Sequence, residues 1–220
     1  MSATMKKNLT SLACFACFVV PLLALDACSI THAPPQAAYD LGNAAAPATG
    51  ERTVLPPVLV AETVVPPVLV AETVVPSWLD TADMTYRLQY ANDLQLHPYA
   101  NSRWSAPPVQ LFEQRLKAGI AAAGGRVLSS SEAANNVPLV LHVDADDFTQ
   151  VFDRADHSNG RVALRVSLFN GRALLDQTVI VKQVEAHGAD AAAGAHALAG
   201  ASDAAIADIV HWLGSVDVKK

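Results

Sequence analysis

Side chains that could do chemistry are few in this sequence, and they are scattered. Asp144, Asp146 and Asp147 put three carboxylates into four positions. On a strand Asp144 and Asp146 share a face, which suits a hard cation such as Ca²⁺. No glycine-containing calcium loop follows them, so the plainer expectation is a solvated strand end. His142, His157, His187, His196 and His211 show no H-x₃-H spacing, and no zinc site is expected. Gly124-Gly125-Arg126 ends a helical pattern where a phosphate loop would open one, and it lacks the Lys-Ser/Thr pair that grips phosphate. A Gly-x-Ser-x-Gly nucleophile elbow does not occur. These patterns supply no catalytic residue, no metal and no cofactor, and they point to a protein that is not an enzyme.

Cysteine usage is more telling. Cys14, Cys17 and Cys28 all lie within the first 28 residues. A basic start at Met5-Lys6-Lys7 and a nearly all-apolar run from Leu9 to Leu25 form the n- and h-regions of a secretory signal. The run ends in Leu25-Asp26-Ala27-Cys28, which resembles the bacterial lipobox: aliphatic at −3, small at −1, then cysteine. Residues 1–27 are therefore expected to be a signal peptide and Cys28 a lipidation site. Two or three acyl chains on Cys28 would anchor the chain, each buried CH₂ contributing about 0.8 kcal/mol. Asp26 departs from the usual neutral residue at its position. Ser29 after the cysteine, in place of the Asp that marks inner-membrane retention, favours the outer membrane. With the signal removed, one cysteine remains, so neither a disulfide framework nor a cysteine metal site is expected in the domain.

The formal charge of −6 over 220 residues argues against a general nucleic-acid binder, which needs a basic face to displace counterions. Hydrophobic residues make up 51% but aromatics only 6%, which indicates an Ala/Val-rich globular core and not a polytopic membrane protein.

Residues 28–53 read as a lipidated Ala/Pro-rich tether, with a short strand expected at 39–42, where Tyr39-Asp40-Leu41-Gly42 could pin to a sheet edge. Residues 54–217 read as the domain. It opens on an identical ten-residue tandem copy, Pro56–Val65 and Pro66–Val75. Each copy starts Pro-Pro, which cannot donate to a ladder, so the two cannot form one uninterrupted central strand. One copy, Val68–Val75, is expected to pair in the sheet. Ten is even, so a slip by one copy keeps every side chain on its own face. A Pro76–Asp80 turn, a Met84–Leu88 strand, an Asn92-Asp93 turn and a Leu94–Tyr99 strand follow. Ser105 is expected to cap a helix in which Val109, Phe112, Leu116, Ile120 and Ala123 form one apolar stripe, with Glu113, Gln114, Arg115 and Lys117 mostly off it. Gly124-Gly125 ends that helix. Arg126–Leu128 is expected as a short strand and Ser129–Asn136 as a polar loop. Strands are expected over Val137–Ala145 and Arg161–Phe169, separated by a charged turn from Asp153 to Gly160. Asn170-Gly171 then turns a hairpin into Leu174–Val184. Gly188–Gly200 looks weakly specified, and a second helix is expected from Ser202. The fold class is α/β (α+β): a single sandwich domain with a mixed, largely antiparallel sheet and two packing helices.

The order of these motifs carries a resemblance. It runs from the lipobox Cys28 through Tyr-Asp-Leu-Gly and Pro-Ser-Trp-Leu-Asp to Met-Thr-Tyr-Arg-Leu. Trp-x-x-Pro-Pro then opens a helix, and an Asn-Gly hairpin and a final Ile-x-x-Trp-Leu helix follow. Over roughly Tyr39 to Leu213 this resembles the ABC-type transport auxiliary lipoprotein family, which includes the paraquat-inducible lipoprotein. The resemblance implies a non-catalytic, periplasm-facing lipoprotein at the outer membrane. It also implies MCE-domain and ABC transporter components as partners, a lipid-transport role and a homo-oligomer as a further option. It carries over Trp78, Leu79, Asp80, Tyr86, Arg87 and Trp104 as fold- or partner-determining positions. The alternative is a lipoprotein that itself binds a lipid or small apolar ligand. The second ten-residue copy departs from the family pattern.

Overall fold

Alternation of Val, Leu and Ile with polar residues dominates the second half of the chain, and the sheet is built on it. The computed structural model describes residues 35–42, 66–73, 75–129 and 139–217. The signal, Cys28, most of the tether, the first repeat copy and nearly all of the Ser129–Asn136 loop lie outside these residues.

Among the described residues seven strands and two helices follow in order: β1 (Ala37–Tyr39), β2 (Val68–Val70), β3 (Asp83–Leu88), β4 (Asn92–Trp104), α1 (Pro108–Ala122), β5 (Leu139–Arg154), β6 (His157–Asn170), β7 (Ala173–Glu185) and α2 (Ala191–Ser215). The sheet runs β1-β4-β3-β5-β6-β7. One edge of β5 is shared by two strands, both parallel to it: β2 pairs Val68–Val70 with Leu139–Leu141, and β3 pairs Tyr86–Leu88 with Gln150–Phe152. The other strand pairs of the main path are antiparallel except β1–β4, so the fold is the expected α+β type with a mixed sheet backed by two helices.

The second repeat copy supplies β2, with Val68 and Val70 buried. The short strand expected at 39–42 lies earlier, at Ala37–Tyr39, sharing only Tyr39 with the expected span; it sits at the sheet's edge, parallel to the end of β4. That pairing covers only Ser102–Trp104 of β4, so Pro98 lies where no neighbour on that side needs its N–H. Val162, Leu164, Val166 and Leu168 all point into the core as expected. In α1, Val109, Phe112, Leu116 and Ile120 are buried. Its end is a Schellman motif: Gly124, at φ 82°, donates to Ala121 O, and Gly125 donates to Ile120 O.

Five local expectations are corrected. Ser105 does not cap α1; Pro107 occupies that position with Pro108 as the first helical residue, where a missing N–H matters least, and β4 runs on to Trp104. Ala123, the last position of the expected stripe, is exposed at the helix end. Val127 makes a single bridge to Val68 in place of a strand over Arg126–Leu128. The charged turn from Asp153 to Gly160 shrinks to Ala155-Asp156, because β5 and β6 extend into it from both sides. The run of aspartates hid this. A bulge between Ala145 and Asp147 resets the alternation, so that Phe148 faces the core again and Asp146 is left outside. Asp147 and Asp146 then meet Arg161 at 3.1 Å and Arg165 at 3.7 Å on β6, as cross-strand ion pairs.

The fifth correction is α2, which begins at Ala191, well before Ser202. Asp190 caps it by accepting from the Ala193 N–H at 2.8 Å. Alanine favours helix intrinsically, and small side chains let this half lie against the sheet. A Cβ on Gly160 of β6 would come within 2.5 Å of the Ala197 backbone. One on Gly119 of α1 would meet Ile206 at 2.5 Å, so the two helices also approach closely.

The second copy fills the slot beside β5. Removing Pro56–Val65 shortens the chain between Gly42 and β2 by ten residues, which changes closure entropy by only about 0.5 kcal/mol. The expected result is a folded protein whose urea midpoint stays near that of the parent. A large loss of stability in denaturation would show that the first copy packs on the domain.

Candidate functional site

The Pro76–Asp80 corner connects β2 to β3. Leu79 donates its N–H to Pro76 O at 2.9 Å, closing the turn. Leu79 is buried, Trp78 is half-buried and Asp80 is exposed. The Arg87 guanidinium lies 5.9 Å from the centre of the Trp78 ring, a cation–π contact, and its Nη1 donates to Asp93 O at 3.3 Å. Trp78, Arg87 and the β3–β4 turn therefore form one continuous polar-aromatic surface.

Tyr86, the next residue on β3, projects to the opposite face, where α2 begins. It stacks on His97 at 5.2 Å and contacts Tyr99 at 4.7 Å and Phe152 at 5.8 Å. Tyr99 donates its hydroxyl to Gln150 Oε1 at 2.8 Å, and Gln150 donates to Ser158 Oγ at 2.8 Å. Gln150 itself sits under Gly194 of α2, where any side chain would collide with it. Burial, with smaller contributions from Tyr86 and Asp190, pushes the Tyr99 phenol well above its ordinary value of 10.0.

Trp104 is 1% exposed and meets Phe148 edge-on at 5.7 Å. Its backbone N–H donates to Ala82 O at 2.8 Å, tying the corner to the end of β4. Trp104 and Leu79 therefore belong to the core, and no partner can reach them as the sequence reading allowed. Trp78, Asp80, Arg87 and, in part, Tyr86 remain accessible.

The sequence reading missed the most connected polar residue. Arg115 is buried on α1. Its Nε and Nη2 donate to both carboxylate oxygens of Asp203 on α2, at 2.6 and 2.7 Å. Its Nη1 donates to the carbonyls of Leu41 and Gly42, at 2.6 and 2.7 Å. One planar guanidinium thus joins both helices to the segment after β1. The available signal was positional: Arg115 lies three residues after Phe112, beside the apolar stripe.

His157 pairs with Asp153 at 2.5 Å and approaches Glu185 at 3.5 Å. The hydrogen bond from His157, helped by the nearby His157 and Arg154 charges and only partly offset by desolvation, holds the Asp153 carboxyl below its ordinary 3.8. Among the described residues no group of three or more His, Cys, Asp or Glu is arranged to hold a metal. A cleft of 390 Å³ near the start of α2, between Glu185, His187, Asp190 and His196, is open to solvent.

The fold and these sites define a two-layer α+β domain whose distinctive groups make contacts and clamps. The chain belongs to the family of ABC-type transport auxiliary lipoprotein components, which matches residues 39–210. That family is one of transport accessories and not of enzymes, and its lipoprotein character implies attachment to a membrane of the cell envelope. Among solved structures, an uncharacterized protein is similar at 16% identity and a TM-score of 0.60, covering 81% of this chain and 99% of that one. A protein of Xanthomonas campestris is similar at 16% identity and 0.58, covering 66% and 81%. Both are likenesses of fold. No curated protein matches the chain.

Two outcomes test these sites. Arg115→Ala should lower unfolding free energy by about 3 kcal/mol, since it leaves buried carbonyls unpaired, and Arg115→Lys should recover only part of it. Folded Tyr99 holds its proton more tightly than an unfolded tyrosine. Its contribution is therefore full below about pH 10 and is lost as pH rises further. Thermal melts across that range should show an alkaline decline in the parent that is smaller in Tyr99→Phe.

Proposed function

We propose that the protein is a non-enzymatic lipoprotein subunit of an MCE-type, ABC-linked system that moves lipid between the two membranes. Cys28 carries its acyl anchor at the periplasmic face of the outer membrane, and the domain docks partner subunits there. The observation that carries this reading is the family match across 39–210. The arrangement of the surface supports it. Trp78 and Arg87 offer a half-buried aromatic and a cation at one corner, the pair of residue types that dominates interface energetics. β7 ends the sheet with a thirteen-residue edge that has no further strand among the described residues, a form suited to strand addition. The same edge would also serve a homo-oligomer.

The alternative, a lipid held between helices and sheet, has less support. Trp104, Phe112, Phe148, Leu116, Leu164 and Leu198 already fill that layer, each under about one-fiftieth exposed. Mass spectrometry of the purified protein should find no stoichiometric co-purified phospholipid beyond the acyl groups on Cys28.

Pull-down from membranes with an MCE-domain subunit tests the docking. Trp78→Ala should weaken recovery about tenfold while leaving the melting temperature near that of the parent, equivalent to about 1.4 kcal/mol. Trp104→Ala should instead destabilise the fold by about 3–5 kcal/mol. Unchanged recovery with Trp78→Ala would remove the corner from the interface.

A further inference from the structure

We infer that the tip of the β3–β4 hairpin is a second membrane contact, inserting Tyr90 and Leu94 into the lipid surface beside the acyl anchor. The inference rests on the lipidation of Cys28 proposed above. Leu94 is 86% exposed and Tyr90 51% exposed, and both sit at this one tip. Leu94 is held out by the backbone. Arg87 pairs with Leu96 and Leu88 with Asn92, so three residues, Asp93 to Gln95, bulge from β4. The bulge is fixed by Leu94 N–H donating to Asn92 Oδ1 at 3.1 Å and by Arg87 donating to Asp93 O. A leucine on a braced bulge with a tyrosine beside it has the composition of an interfacial anchor, where an aromatic ring with a polar end sits at headgroup level.

Strand direction and chain length select the lipid as the occupant. β1 runs parallel to β4, so its first residue faces the end of β4 that carries the tip. Gln36 is placed there by its side chain, which donates to Ala100 O at 3.0 Å. Because β4 bulges on both sides of its paired centre, the distance is set by β3: Leu88 pairs with Asn92, while Asp83 and Thr85 pair with Arg103 and Pro98, which places Ala100 only about 13 Å from the tip. From Cys28 to Gln36 the chain is eight residues long and reaches at most about 28 Å. An acyl group on Cys28 thus has ample chain to lie level with the tip. The charged side chains at this end of the sheet include Arg87, Asp93, Asp153, Arg154, Asp156 and Glu185, an acidic excess. The contact is therefore apolar and does not depend on anionic headgroups.

The test uses the acylated full-length protein made in cells, with Gln95→Cys carrying an environment-sensitive fluorophore. Acylation occupies the Cys28 thiol, so only the introduced cysteine is labelled. Arg172→Cys, at the opposite end of the sheet, is the comparison. In phosphatidylethanolamine/phosphatidylglycerol vesicles containing nitroxide-labelled acyl chains, quenching at position 95 should exceed that at 172 several-fold and persist in high salt. Tyr90→Asp with Leu94→Asp should reduce it to the level at 172. Equal quenching at the two positions, with acyl groups present by mass spectrometry, overturns the tip contact and leaves the anchor standing. An unacylated Cys28 overturns both. A response at position 95 that needs an added MCE-domain protein makes the tip a protein contact and overturns the lipid assignment.

Discussion

One guanidinium sets the terms for the helical layer. Arg115 is among the core side chains, and a charge there is tolerated only if it is paired and hydrogen-bonded; four of its five N–H groups meet acceptors. Asp203 supplies two oxygens, and Leu41 and Gly42 supply one each. Those acceptors come from three separate stretches of chain: α1 carries the cation, α2 the carboxylate and the segment after β1 the carbonyls. None of the three can shift without stranding the charge. The apolar core around it, from Leu41 to Leu213, provides most of the burial but does not by itself fix how these pieces register.

Close approach is the second constraint. Gly160, Gly194 and Gly119 sit where a methyl group would strike α2 backbone, Gln150 or Ile206. The Ala/Gly half of α2 lies low against β6, which brings its capped start over Gln150. The Tyr99–Gln150–Ser158 chain is then satisfied beneath it. The same closeness leaves little room between the layers, which is why recognition is assigned to the outer surface.

Elements with strong periodicity were legible in the sequence. The α1 stripe, the β6 alternation, the Asn170-Gly171 hairpin and the strand role of Val68–Val70 all follow from apolar spacing and turn chemistry. The misreadings have physical causes. In β5 the bulge at Ala145–Asp147 broke the period of two, and three aspartates concealed a strand that continues to Arg154. In α2 the packing relies on small residues, which give no hydrophobic period to find. The site was harder. Trp78 and Trp104 look alike beside their prolines, yet one sits in the turn under Arg87 and the other, at the end of β4, is sealed against Phe148. Arg115 was read as lying mostly off the apolar stripe because charge alone does not reveal an acceptor set assembled from distant segments.

The parallel pairing of β1 with β4 also fixes how the domain bears load. A pull on the chain ahead of Gln36, directed along the strands toward the β3–β4 tip, acts on the β1 hydrogen bonds in shear, so they resist together and do not peel one by one. Behind them the Arg115 grip on Leu41 and Gly42 takes the remaining tension and passes it into both helices. A short strand at a sheet edge, weak by thermal measures, thereby becomes a mechanical fastening between the domain and whatever holds its leading segment.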